Sequence, residues 1–166
     1  MFKRVLFVSV VALFGATQTA QAISVKEAVQ CFETAKLSAS NGTTLRSIIL
    51  KYLEPHNAAA RALQMQRAER GWRGLTDSEK THRSQQVIDF ILDSDVFSEI
   101  ELSSVSVNGN RAKQNKHSVV LPGNFIRNGE RENFAFLIVL IQGNCRFIDA
   151  RWTNAWLSRH VDIDLQ

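Results

Sequence analysis

The hydrophobic period of this chain changes once, around residues 97–99, and that change restricts its fold more than any single motif does. Upstream, apolar residues recur at three- and four-residue steps, the spacing of one helix face. Val25, Ala28, Val29, Phe32 and Ala35 make a first stripe. After a polar break at residues 38–42, Leu45, Ile48, Ile49 and Tyr52 make a second, which Pro55 stops, and the alanine-rich stretch 58–65 makes a third that ends near Gly71. A fourth helix opens at Thr76-Asp77-Ser78-Glu79, where the Thr76 hydroxyl can accept the backbone N–H three residues on while Glu79 reaches back. Its apolar face is Val87, Ile88 and Ile91. From Glu99 onward the period is two, and Asn108-Gly109, Asn128-Gly129 and Gly143-Asn144 read as hairpin turns dividing four strand-like runs. Residues 134–141 are apolar throughout, which predicts a central strand covered on both faces. The expected architecture is α+β, with N-terminal helices packed on a C-terminal, curved, antiparallel four-stranded sheet. With 45% hydrophobic and 22% charged residues, eight Gly and two Pro, a disordered or collagen-like chain is excluded.

The N-terminus has a separate logic. Lys3 and Arg4 precede an apolar run, residues 5–16, interrupted only by Ser9 and Gly15, and polar residues 17–19 lead into Ala20-Gln21-Ala22. A charged start, a short apolar stretch and an A-x-A site predict a secretory signal peptide over residues 1–22, cleaved after Ala22, ahead of a single domain over 23–166. A membrane-spanning helix needs about 20 apolar residues, more than this run or residues 134–141 supply. The expected product is an exported, periplasmic protein. The 20 Lys and Arg of the whole chain against 16 Asp and Glu are too balanced and too dispersed to form a nucleic-acid footprint, so no nucleic-acid partner is expected. Cys31 and Cys145 can pair in an oxidising compartment if the fold brings their Cα atoms together; two buried thiols are the alternative, and the sequence leaves both open.

Taking Gly143-Asn144 as a two-residue loop places Leu140 opposite Phe147, Val139 opposite Ile148 and Leu137 opposite Ala150. One sheet face then carries Leu137, Val139, Ile141, Ile148, Ala150 and Trp152. The other carries Phe136, Ile138, Leu140 and Phe147 together with Asp149 and Arg151. The first is the more apolar and is expected to face the helices and line any apolar ligand.

Signatures of catalysis are missing. His56, His82, His117 and His160 have no metal-ligand spacing, there is no CxxC pair, and GxSxG, P-loop and GxGxxG patterns are absent, so no metal or cofactor is expected. Asp149, mid-strand beside aromatic residues, is read as the partner of a cross-strand or neighbouring arginine; the alternative is a general base. Arg61, Arg67, Arg70 and Arg73 surround Trp72 and offer either phosphate contact or a solvated helix face.

The stretch 45–157 resembles the MlaC family of periplasmic phospholipid-binding proteins, also known as toluene-tolerance auxiliary components. The residues that carry the resemblance are Leu45-Arg46-Ser47-Ile48-Ile49-Leu50, Tyr52-Leu53, the run from Gly71-Trp72-Arg73-Gly74 through Thr76 and Glu79, and the late strand Arg146-Phe147-Ile148-Asp149. The resemblance implies a nuclear transport factor two-like cone of helices on a curved sheet. It implies carriage of phospholipid or another acyl lipid between an outer-membrane lipoprotein complex and an inner-membrane ABC transporter, without catalysis. Under it, Leu137, Val139, Ile141, Ile148, Ala150 and Trp152 line the lipid cleft, and Trp72, Arg73 and Asp149 have a headgroup or structural role. A small enzyme of the same fold with Asp149 as base, or a non-catalytic exported adaptor, are the competing readings.

Overall fold

The computed structural model describes residues 20–40, 42–152 and 155–161; most of the expected signal peptide, residues 1–19, lies outside the described residues, as do Asn41, Thr153-Asn154 and residues 162–166. Apart from one two-residue strand ahead of the first helix, helices come first and sheet second, as the change of period predicts. The helices are α1 (Val25–Leu37), α2 (Leu45–Tyr52), α3 (Pro55–Met65), α4 (Asp77–Asp93) and a short α5 (Asp95–Glu99). Each boundary has a local cause. Ser24 accepts the Glu27 N–H while Glu27 accepts the Ser24 N–H, a capping box that starts α1. Pro55 both ends α2 and occupies the first turn of α3, where its missing N–H costs nothing. Thr76 and Glu79 form the capping box expected for α4. The backbone and side-chain bonds from Thr76 draw the Glu79 carboxyl down to about 2.

The sheet is antiparallel and holds seven strands among the described residues, not the four expected. Three long ones, β4 (Val119–Arg127), β5 (Glu130–Ile141) and β6 (Asn144–Trp152), form its centre. Four two-residue strands finish the edges: β1 (Ala20–Gln21) on β5, β2 (Ser106–Val107) and β3 (Lys113–Gln114) on β4, and β7 (Ala155–Trp156) on β6. Strands this short carry too few residues to show a period, which is why the sequence does not announce them. Asn108-Gly109 makes no hairpin, because β2 and β3 both pair with β4 instead of with each other. Gly123, opposite β2, has no room for a side chain: a Cβ there would sit 2.2 Å from the Ser106 carbonyl oxygen and 2.6 Å from the Phe134 ring, the close backbone approach that a strand glycine permits.

Asn128-Gly129 does turn β4 into β5, with both residues at positive φ and Arg127 opposite Glu130. The β5–β6 turn falls one residue earlier than expected, on Gln142 and Gly143 at φ 51° and 74°, so Ile141 pairs with Asn144 and Leu140 with Cys145. β5 is central and buried on both faces. The core gathers Phe32 and Ala35 of α1, Ile48 and Ile49 of α2, Ala59 and Ala62 of α3 and Ile91 of α4 against Phe136, Ile138 and Phe147 of the sheet. No helix among the described residues is long and apolar enough to cross a membrane.

Candidate functional site

A cluster of aromatic rings packs among aliphatic side chains between helices and sheet. Phe136 stacks on Phe147 with centroids 4.8 Å apart and on Phe32 at 5.7 Å, and Phe134 meets Phe136 edge-on at 4.9 Å, the offset and edge-on arrangements that aromatic quadrupoles favour. Little space is left. A cavity of about 20 Å³ lies among Ile49, Ala58, Val87, Phe136 and Phe147, with Asp149 and Ser158 as the polar part of its wall. A second, of about 10 Å³, lies among Phe97, Phe125, Phe134, Ala150 and Trp152. One water needs about 10–15 Å³, so neither admits an acyl chain as it stands. Beside them a more open, mainly apolar groove of about 330 Å³ is lined by Phe90, Val96, Phe97, Trp152 and Leu157, with Ser94 and His160 among its polar walls.

The lining residues expected from the sequence fall into two groups. Ile148 and Ala150 line the larger cavity, and Trp152 lines both the smaller one and the groove. Leu137, Val139 and Ile141 do not line these spaces: they are buried, but outside the helix-side core that holds Phe136 and Ile138. Two causes account for the correction. The aromatic face, which reads as the less apolar because it carries Asp149 and Arg151, is the one that meets the helices. A bulge at Ile148 then shifts the register, with Ile138 opposite Phe147 but Leu137 opposite Asp149 and Phe136 opposite Ala150, so Ala150 and Trp152 move to the face of Phe136 and Phe134.

Asp149, the residue after the bulge, is also interior, with its side chain 1% exposed. Oδ1 accepts the backbone N–H of Ala150 at 2.9 Å and of Ser158 at 3.2 Å; Oδ2 accepts the Ser158 hydroxyl at 2.7 Å and Nε of Arg61 in α3. Burial pushes the Asp149 carboxyl above the ordinary carboxylate range, while the Ser158 and Arg61 bonds pull it back. A carboxylate has about four acceptor positions, and all four are occupied, which fits the ion-pair reading of this residue. Arg61 also lies over the Trp156 ring, 4.9 Å from its centroid, within cation–π reach.

Trp152 is held as firmly. Its indole N–H donates to Glu132 Oε2 at 2.7 Å, Arg127 Nε donates to Glu132 Oε1 at 2.8 Å, and the Arg127 guanidinium lies 4.8 Å over the ring. The basic cluster around Trp72 is dispersed: Arg61 goes to Asp149, and Arg70 to Glu79 and the Gly74 carbonyl. Trp72 packs against His56 at 5.8 Å, Arg73 is exposed, and neither lines the cavity of Asp149. The four histidines are all exposed. Cys31 of α1 and Cys145 of β6 are joined in a disulfide, Cα atoms 6.0 Å apart. That separation lies within the usual disulfide range, and the structure takes the paired alternative of the two that the sequence leaves open.

Neither a known protein family nor any curated protein matches the sequence. Among solved structures, the fold is similar to that of a phospholipid-binding protein from Ralstonia solanacearum, determined in complex with a phospholipid. The likeness has a TM-score of 0.54 at 15% identity and covers 86% of this chain and 83% of that one. At that identity the likeness defines a class of fold, helices on an antiparallel sheet.

Proposed function

We propose that this protein is a non-catalytic lipid carrier of the periplasm, binding phospholipid or a related acyl lipid between its helices and its sheet. The observation that carries the reading is an apolar, aromatic-walled layer in a fold shared with a protein solved with phospholipid bound. Each methylene taken from water into such walls contributes roughly 0.8 kcal/mol, enough over one acyl chain to hold it. The sequence resemblance adds the expected partners, a membrane-bound ABC transporter and an outer-membrane lipoprotein complex. The saturated acceptor set of Asp149 favours a structural acid over a general base, since a base needs a free lone pair.

Mass spectrometry of solvent extracts from protein purified without detergent tests the reading, with acyl lipid at near-stoichiometric yield expected. Protein that carries no lipid and takes up no fluorescent phospholipid from vesicles would overturn it. Export is tested separately. The mature chain is expected to begin at Ile23, the residue after the A-x-A site, and intact mass of the exported protein reads this directly. A chain that keeps residues 1–22 and fractionates with membranes contradicts the cleavage.

A further inference from the structure

The two interior cavities and the outer groove meet at one side chain. Leu157 belongs to the walls of all three, and no other described residue does. It opens the short turn Leu157–Arg159, and the stretch 157–161 covers the larger cavity with Leu157, Ser158 and Val161. The opposite walls are rigid: Trp152 is fixed by Glu132 and Arg127, and Phe136 is stacked between Phe32 and Phe147. The stretch 157–161 is tied down differently. Gln66 Nε2 donates to the Ser158 carbonyl at 3.0 Å and the Val161 carbonyl at 2.8 Å, and Ser158 donates twice to Asp149. Two side chains on the body thus hold one strap, and the strap carries the residue that separates the three spaces.

We propose that residues 157–161 are the gate, and Leu157 the plug, of a binding site for a single acyl chain, entered through the groove beside Phe90, Phe97 and Trp152. The proposal rests on the lipid-binding reading and narrows it. The groove has a volume of about 330 Å³. Small-molecule sites begin at roughly 300 Å³, so it stands at the lower end of their range. Moving Leu157 aside extends it only into the two small cavities, which suits one chain and not two. The walls are apolar, and Ser94 and His160 give the polar end of an amphiphile hydrogen-bonding partners. A fatty acid and a lysophospholipid share this chemistry. Because the ligand takes the place of Leu157, it binds only the open state, and anything that loosens the strap raises the fraction able to bind.

The test is stopped-flow uptake of a dansyl-labelled fatty acid by the full mature protein, with Leu157→Ala and Gln66→Ala as variants. Gln66 lines none of the three spaces, so its variant acts on the latch alone and stands as the second test where Leu157→Ala folds poorly; circular dichroism establishes folding first. Uptake about tenfold faster, with tighter apparent binding, is expected in both. Displacement of the dye by free palmitate or by palmitoyl lysophospholipid then tells which source of the chain is preferred. Wild type that binds the dye, with folded variants whose rates do not change, overturns the gate and leaves the lipid reading intact. Displacement by vesicles of dipalmitoyl phospholipid as effective as by single-chain lipid overturns the single-chain assignment. Folded wild type and variants that bind no dye, lysophospholipid or phospholipid overturn the lipid reading and the gate with it.

Discussion

Asp149 illustrates how a buried carboxylate is made tolerable: four donors surround it, and the only formal positive charge among them is Arg61, whose side chain keeps 23% exposure. Removing Arg61 leaves an uncompensated charge in the interior, a change that costs about 3–5 kcal/mol when a buried pair is broken from one side. Arg61→Ala is therefore expected to destabilise strongly, and the double variant Arg61→Ala/Asp149→Ala to recover part of the loss, measured as a coupling energy in urea unfolding. The pH dependence has a defined sign. Burial holds the folded carboxyl above its ordinary value of 3.8. Its contribution to stability is therefore complete below that value and declines as pH rises through the raised one. Arg61→Ala takes away a stabiliser of the charged form and should extend that decline to higher pH. A double-variant loss equal to the sum of the Arg61→Ala and Asp149→Ala losses, or a pH profile unchanged by Arg61→Ala, would show that the pair is not coupled.

The β5–β6 hairpin shows what the sequence can and cannot announce about an element. Its turn uses Gln142 at φ 51° ahead of Gly143, a left-handed position for which Gln is a poor residue and Asn a good one. Gln142→Asn recreates the Asn-Gly pair that already turns β4 into β5, and should raise stability by about 0.5 kcal/mol without altering the fold. A shifted denaturant midpoint at constant slope is the expected reading. Gly143-Asn144 looks like a turn on composition alone, yet the pairing of Leu140 with Cys145 and Ile138 with Phe147 places the loop one residue earlier. The helices were legible because stripes, caps and Pro55 act within a few residues. The bulge at Ile148 was not: nothing in Phe147-Ile148-Asp149 marks it, and the partners of the neighbouring Asp149 lie far along the chain, in α3 and the strap. For the same cause Asp149 was legible as an ion-pair residue, while its partner Arg61, 88 residues away, and the Gln66–Ser158 latch, 92 residues apart, were not. Leu157 carries no motif at all and gains its significance only from the three spaces that it divides.

At the scale of the whole molecule, one covalent link joins the first helix to the last hairpin. Cys31 and Cys145 are 114 residues apart in sequence, so the bridge closes most of the domain into a loop. Such a closure restricts the unfolded chain far more than the folded one. In the folded chain α1 is already held by the Phe32–Phe136 stack and by Lys36 Nζ donating to the Val105 carbonyl at 2.5 Å. In the chain-entropy account a loop of about 100 residues contributes up to about 4.7 kcal/mol, and loss of a native disulfide typically costs about 2–5 kcal/mol. Reduction, or Cys31→Ser/Cys145→Ser, is therefore expected to lower the free energy of unfolding by about 2–5 kcal/mol. The urea slope should increase, because the uncrosslinked chain exposes more surface when it unfolds. The native contacts of α1 do not depend on the bridge, so the reduced protein should keep its circular dichroism spectrum below its lowered midpoint. Non-reduced mass two hydrogens below the reduced mass confirms the link, which an oxidising compartment would preserve. If both thiols of the native exported protein react with an alkylating agent, the bridge is absent there. Its absence would also remove α1's covalent tie to the sheet that carries the proposed site.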